Sequence, residues 1–337
     1  RVVFDDGTAI IADAGHLWET RQKWSFHTRA DVLAGVPRNN GTFLPRGTRE
    51  QVGVRTTQQI KDTVRYQGFA NHSVRLADPL MLPDAVLPID PYVLGCWLGD
   101  GNSKDSGIVV TDADVQIVAN IAAAGVSVGR RRPVGLASTP LPTLGMYGLG
   151  VTGHGRRDSL HCTLKRHGLL RNKHIPSEYL RASHQQRLSL LQGLMDTDGH
   201  ISPRSGRCVF TQSRPSLIKQ VAELVNSLGM KCTVRKSQSK TRGTLFDRWD
   251  VFFYPPWDMR VFGLDRKQQH NQPRHGRKRM SGNRRIIDVQ PVASVPVRCI
   301  AVDSPSRLFL AGEAMVPTHN SGYDRLSVCY QHHVYSQ

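Results

Sequence analysis

Two stretches, "PYVLGCWLGDGNS" at 91–103 and "LSLLQGLMDTDGHIS" at 188–202, are versions of one pattern, and their joint reading decides the fold. Each is an apolar run at helical spacing that stops at Asp-Gly, which predicts motif helices over about 91–101 and 188–199. Small residues recur four apart on one face of each: Gly95 and Gly99 in the first, Gly193 and Thr197 in the second. Such a face lets two helix backbones approach closely, for purely steric reasons. The glycines after the acids, Gly101 and Gly199, suit the left-handed residue that often ends a helix.

The pattern extends downstream of both helices. "GIVVT" (107–111) and "RCVFTQ" (207–212) are β-branched runs, followed by the helical patterns "ADVQIVANIAAAG" (113–125) and "PSLIKQVAELVNSLG" (215–229). Each of those stops at Gly and gives way to a basic strand-like segment, "VSVGRRR" or "MKCTVRK". The unit helix, sheet, helix therefore occurs twice, about 98 residues apart, and predicts a pseudo-dimer within one chain.

Asp100 and Asp198 then fall at the C-terminal ends of two adjoining helices, where the macrodipole is already negative. Two carboxylates there repel one another unless a cation lies between them. A chemistry that uses such a pair is divalent-metal hydrolysis of a phosphodiester. Composition agrees with a nucleic-acid partner. The 337-residue chain has a formal net charge of +18, with basic clusters at Arg130-Arg131-Arg132, Lys231 to Arg242 and Arg266 to Arg285. Excess Lys and Arg on a surface neutralise phosphates and release counterions. Hydrophobic residues at 39% and charged residues at 21% exclude a disordered or membrane-embedded class. No apolar run reaches the roughly 20 residues of a membrane span, and no signal-peptide core opens the chain. The six cysteines lack metal-ligand spacing and are expected to be reduced and mostly buried.

"VLGCWLGDG" and "LQGLMDTDG" resemble the paired motifs of LAGLIDADG (DOD-type) homing endonucleases, the first departing at Cys96, Trp97 and Leu98. "GLLRNKHIP" (168–176) is similar to that family's Lys-x-Ile-Pro block. The resemblance implies Asp100 and Asp198 as acids that bind Mg2+, and Lys173 as an active-site base or charge. It implies a pseudo-two-fold αββαββα domain at 90–265, whose two four-stranded sheets read a long, roughly palindromic double-stranded DNA site. Arg130, Arg131, Arg132, Arg235 and Lys236 are the candidate DNA contacts.

The pieces outside the repeat are rich in strand signals: "RVVF", "TAIIA" and "VGVRTT" before it, "RRIIDVQPV", "RCIAV", "RLFLAG" and "AMVPTHN" after it. The simplest arrangement is one all-β domain, residues 1–86 and 284–320, interrupted by the nuclease and a basic linker at 266–283. This split resembles an intein, with "DDGTAIIADAGHLWETR" as the block carrying His16, and "VRCIAVDSPSRLFLAG" and "EAMVPTHN" as the C-terminal splicing blocks. The fold class implied is α+β multidomain: a Hint (hedgehog/intein) domain, incomplete at its N-terminus, around a LAGLIDADG domain.

The residue types suit the chemistry. Asn320 can cyclise onto its own carbonyl, His319 can protonate the leaving amine, and Ser321 offers a hydroxyl nucleophile. Three residues before His16, where most inteins have Thr, stands Asp13. Trp18, Cys299 and Thr318 instead resemble the Trp-Cys-Thr triplet of class 3 inteins, which implies Cys299 as first nucleophile. On this reading 321–337 is host (extein) sequence, and the usual first intein block is missing from the chain. A cytoplasmic monomer in a bacterial or phage-infected cell is expected. A nuclease with merely structural β ends and a DNA-binding module with decayed catalysis are the alternatives.

Overall fold

A computed structural model describes residues 1–23, 51–66, 68–136, 139–150, 159–241, 243–273, 282–295, 300, 302–319 and 334–335. The chain folds as two compact units, Asp78–Met280 and a composite of Arg1–Ala77 with Ser281–Gln337. The division at 77/78 comes before the expected 86, and that at 280/281 falls within the expected linker 266–283. The reason lies in packing: residues 79 and 80 lie against the Ser227–Gly229 turn, and Lys267 is buried within the first of these units.

The unit Asp78–Met280 is α+β and repeats itself. Its first half runs helix Pro91–Asp100, strand Gly107–Thr111, helix Gln116–Ala123, strands Arg132–Leu136 and Thr139–Gly148, then helix Leu160–Arg166. The second runs helix His184–Thr197, strands Gly199–Ile201 and Cys208–Gln212, helix Pro215–Ser227, strands Cys232–Thr241 and Thr244–Phe253, then helix Asp265–Gln268. Asp90 caps the first motif helix by accepting from Val93 N at 3.1 Å, with Pro91 in its first turn. The second starts four residues earlier than expected, because Ser183 and Gln186 form a reciprocal capping box.

These two motif helices meet backbone to backbone. A Cβ on Gly95 would lie 2.4 Å from Leu190 O, and one on Gly193 would lie 2.2 Å from Tyr92 O. The small-residue faces are therefore a steric requirement of the contact. Apolar side chains from both helices, among them Leu94, Trp97, Leu191 and Leu194, continue into a core shared with the sheets.

The sheets are antiparallel and not identical. The second has four strands, in the order 199–201, 208–212, 244–253, 232–241. Among the described residues the first has three, and a single bridge, Gly101 to Ile108, stands where the other half pairs Gly199 with Phe210. The expected pair of four-stranded sheets is thus corrected on one side. Gly101 is also not left-handed: its φ of −68° and ψ of 148° are extended. What it needs is room, since a Cβ there would lie 2.3 Å from Trp97 O.

The composite unit is built on a six-stranded sheet, in the order 9–10, 2–4, 283–289, 72–75, 17–22, 51–56. Val2 faces Val289 across an antiparallel pair, so the two separated segments of this unit share one sheet. Val2, Phe4, Trp18, Val74, Ile286 and Val316 fill its core. A second, three-stranded sheet centres on Leu308–Ala311, flanked by Val316–His319 and Val334–Tyr335. The unit is not all-β. Thr56 and Gln59 form a capping box that starts a helix at Thr57–Asp62, with Thr57 and Ile60 buried. No helix among the described residues is long and apolar enough to cross a membrane.

Candidate active site at the junction of the motif helices

Asp100 ends the first motif helix and Asp198 caps the second. The close approach of the helices sets their ends side by side: a Cβ on Gly99 would lie 3.4 Å from Asp198 Oδ2. Both carboxyls titrate above the ordinary value. Asp198 is pushed up to about 7, first by burial and next by the charge of Asp100, against the pull of Lys173 and Lys267. For Asp100 burial again dominates, with the same two lysines opposing it. Gln212 donates a 2.9 Å hydrogen bond to Asp198 Oδ2.

The two lysines do not hydrogen-bond the acids; they cap the helices. Lys173 Nζ donates to Gly99 O at 2.9 Å and sits 5.2 Å from the centre of the Trp97 ring. Burial holds its pKa down, to about 8, while Asp198 and Asp100 pull it upward. Lys267 Nζ donates to Met195 O, Asp196 O and Gly199 O at 3.0, 2.7 and 2.7 Å. Each ammonium thus offsets the negative end of one motif helix. Sequence reading placed Lys173 here and missed Lys267, which it put in the basic linker. It missed Gln212 too, though its place in the strand after the second motif was a usable signal.

The DNA-contact candidates divide by sheet face. Side chains alternate across a strand, and Arg235 shares a cross-strand row with Thr211 and Asp250, on the face away from buried Val251 and Phe253. On that face the Arg235 and Arg207 guanidiniums lie 5.6 and 4.9 Å from the Phe252 ring centre. Lys236 falls on the other face, paired with Asp247 at 2.7 Å and lying over Trp249. Arg132 stands opposite Met146, whose other neighbour is Val109, away from buried Ile108 and Val110. Arg130 is exposed, and Arg131 is tied to Asp112 at 3.2 Å and to Leu144 O at 3.0 Å.

In the composite unit the structure brings together His16, Trp18 and Thr318. His16 Nε2 is hydrogen-bonded to Thr318 Oγ1, and the His16 and Trp18 ring centres are 5.1 Å apart, edge to face. Trp18 Nε1 donates to Thr57 Oγ1 at 2.9 Å. All three side chains are buried, and the Nδ1 of His16 has no partner among the described residues. Burial lowers the His16 pKa to about 4, helped by His319 and opposed by Asp13. The latter's Oδ1 is occupied by Gly15 N at 2.7 Å. His319 ends the strand Val316–His319. Cys299, Asn320 and Ser321 lie outside the described residues.

Comparisons with known proteins bear on the α+β unit most directly. Residues 185–251 match the family model of the LAGLIDADG-like domain. Along nearly the whole chain, 97% of it, the sequence is 38% identical to a replicative DNA helicase DnaB of Mycobacterium intracellulare, covering 51% of that protein. A replicative DNA helicase DnaB of Mycobacterium leprae (strain TN) is 54% identical over 46 residues, 13% of this chain and 8% of that protein. The chain thus spans about half the length of the first relative and a small part of the second. Among solved structures, a mesophilic variant of the homing endonuclease I-DmoI matches with a TM-score of 0.32 at 14% identity, covering 49% of this chain and 88% of that one. The N-terminal LAGLIDADG domain of DUF199/WhiA matches at 0.32 and 10% identity, covering 54% of this chain and 87% of that one. The second motif helix, the strands after it and the helix Pro215–Ser227 together form a LAGLIDADG-like domain within an α+β unit.

Proposed function

We propose that the unit Asp78–Met280 is a metal-dependent, site-specific DNA endonuclease, and that the composite unit is the splicing domain of the intein carrying it. The observation that carries the nuclease reading is the pair Asp100 and Asp198 at adjoining helix ends, both titrating above the ordinary value through burial, Asp198 also through the charge of Asp100. Two crowded carboxylates whose nearest lysines bond to carbonyls rather than to them suit a hard divalent cation. Among the described residues no three acid, His or Cys side chains converge, so water and DNA phosphate would complete the shell of Mg2+. Bound there, such an ion supplies charge stabilisation to the attacking and leaving oxygens of a phosphodiester. Asp100 and Asp198 would hold it, Lys173 and Lys267 stiffen the helix ends, and Gln212 orients Asp198. Exposed Arg132, Arg207 and Arg235 would meet the backbone of a DNA duplex laid on their sheet faces, and the +18 charge would favour its approach.

For splicing, Cys299 thiolate would attack the carbonyl of the upstream junction, forming a thioester and releasing the amine. The Ser321 hydroxyl would take that acyl group, freeing Cys299. Asn320 would then cyclise onto its own carbonyl, breaking its bond to Ser321, with His319 protonating the amine that leaves. The contact of His16 with Thr318 and the packing of Trp18 support this reading, because they join the two distant sequence blocks. The likeness to mycobacterial replicative helicases supports a helicase as the host whose exteins flank the insert. A cytoplasmic monomer that meets no membrane is consistent with this.

The test uses a DNA duplex spanning the insertion point of the helicase gene without the insert. Purified protein is expected to cut it in Mg2+, with Asp198→Asn and Asp100→Asn each losing on the order of 10³-fold in rate. No cutting by the wild-type chain across all such duplexes would remove the nuclease reading. Expression with an upstream segment supplied tests the other half: ligated flanks persisting in Cys299→Ala would remove the class 3 assignment.

A further inference from the structure

We infer that Asp196 is a positioning residue for the acid pair, acting through Lys267, an inference that rests on the nuclease reading above. In the first motif helix the equivalent position, 98 residues earlier, is Leu98, buried in the core. The two halves of the repeat differ at this place, and a carboxylate that is 1% exposed must be given donors.

The donors come from both halves of the unit. Asp196 Oδ2 accepts from the Tyr92 hydroxyl at 2.8 Å, and that oxygen in turn accepts from Asn120 Nδ2 at 3.1 Å. Its Oδ1 accepts from Leu264 N at 3.0 Å, and the Gly263 backbone also favours the charged form. A Cβ on Gly263 would lie 2.5 Å from Asp196 Oδ2, so the backbone is laid directly against the carboxylate.

What that turn carries is Lys267, three residues beyond Leu264. Its ammonium donates to Met195 O, Asp196 O and Gly199 O, at the end of the helix that presents Asp198. Asp196 therefore serves twice, its carboxylate holding the turn and its carbonyl receiving the lysine that the turn delivers. The other ties of this segment are more exposed. Arg260 pairs with Asp265, Gln116 donates to Asp265 at 3.0 Å, and Arg266 reaches Asp114 at 2.5 Å. A buried acceptor-only group is the anchor. Asn in its place would turn an N–H toward one of these donors and leave it unsatisfied.

The test compares wild type, Asp196→Asn, Lys267→Met and the double variant, each as the full chain. Without DNA or metal, amine acetylation followed by peptide mass spectrometry should find Lys267 protected in wild type. In folded Asp196→Asn it should label at least about tenfold faster, with Lys173 unchanged. In Mg2+, single-turnover cutting of the same duplex should fall about 10- to 100-fold in each single variant, with DNA affinity within about twofold. The double variant should fall no further than the worse single one. Unchanged Lys267 labelling in folded Asp196→Asn, or rate losses that multiply in the double variant, would overturn the inference. If wild type cuts nothing, the nuclease reading fails, while the labelling still decides the link from Asp196 to Lys267. Should Asp196→Asn not fold, Tyr92→Phe removes one donor and keeps the backbone ones. It should shift Lys267 labelling in the same direction by a smaller factor, and no shift there would overturn the link.

Discussion

The helix junction of the α+β unit and the histidine site of the composite unit both crowd ionisable groups out of water, with opposite results. At the junction, burial pushes both carboxyls upward, joined at Asp198 by the charge of Asp100, and lysines are brought to the helix ends to restrain them. At His16 burial strips the proton instead, and the ring is matched to a threonine hydroxyl rather than to an acid. His72 repeats this in the same sheet, between Thr63 and Thr20, with its pKa also near 4. One region gathers acids beside two ammonium groups; the other is kept neutral. The first suits an ionic ligand, the second proton transfer within a dry pocket.

The sharpest way to break this comparison is to part the helices. Gly193→Val would drive its Cβ toward Tyr92 O and Cys96 N, both backbone atoms that cannot yield. A loss above about 4 kcal/mol is expected, read as collapse of the α+β unit in urea melts. A variant within about 1 kcal/mol of wild type would deny the close contact on which the acid pair depends.

Acidification should move the two units in opposite directions. His16 and His72 are neutral when folded and titrate near 4, against an ordinary 6.5, so between these values the unfolded chain binds more protons. Their contribution is fully present above pH 6.5 and lost as pH falls toward 4, about 2 kcal/mol per histidine by pH 5. Asp198 and Asp196 titrate near 7 and 6, above the unfolded value, so there the folded state binds more protons and gains as pH falls from 7 to 5. Hydrogen exchange of peptides from each unit at pH 7 and 5, corrected for intrinsic rates, checks this. Parallel shifts in both units would contradict it.

The smallest effect expected is also the most local. Gln212→Leu removes the amide that bonds Asp198, while the strand position matching it in the first half, Val110, has no polar group to lose. Cutting should slow by about tenfold, with one strand of the duplex affected more than the other. Equal slowing of both strands, measured by end-labelled nicking, would show that the two acids act as one.

The features legible in the sequence were those that repeat or that lie within a helix turn or two of each other. Gly95, Gly99 and Gly193 announce a close helix contact by spacing alone, and Asp100 and Asp198 announce the junction by ending the same pattern twice. Lys267 did not, because its partners are backbone carbonyls, and a carbonyl is the same at every residue. Set among Arg266, His270 and Arg274, it read as one more charge in a basic stretch. Gly101 shows a different limit. Its need for glycine was legible, yet the cause is the Trp97 carbonyl and ring rather than a left-handed backbone, and the two leave the same letter. The missing strand of the first sheet follows from register: one bridge at Gly101–Ile108 replaces a ladder, and neither segment's β propensity foretells that.

Leu76 N donates to Gly282 O at 3.0 Å, so the chain leaves the composite unit and returns to it at neighbouring points. During synthesis, the second strand that pairs with Val2–Phe4, beyond Ala9–Ile10, is made only when residues 283–289 appear. Everything between leaves the ribosome before that strand emerges, and a domain folds as a unit once it is out. Val2–Phe4 therefore waits beside an unfinished sheet until a fully folded insert brings its own two ends together. A folded insert shortens the effective loop from some two hundred residues to the gap between those ends, which removes most of the entropy of closure. The order of chain growth lets the α+β unit fold before the composite sheet is closed.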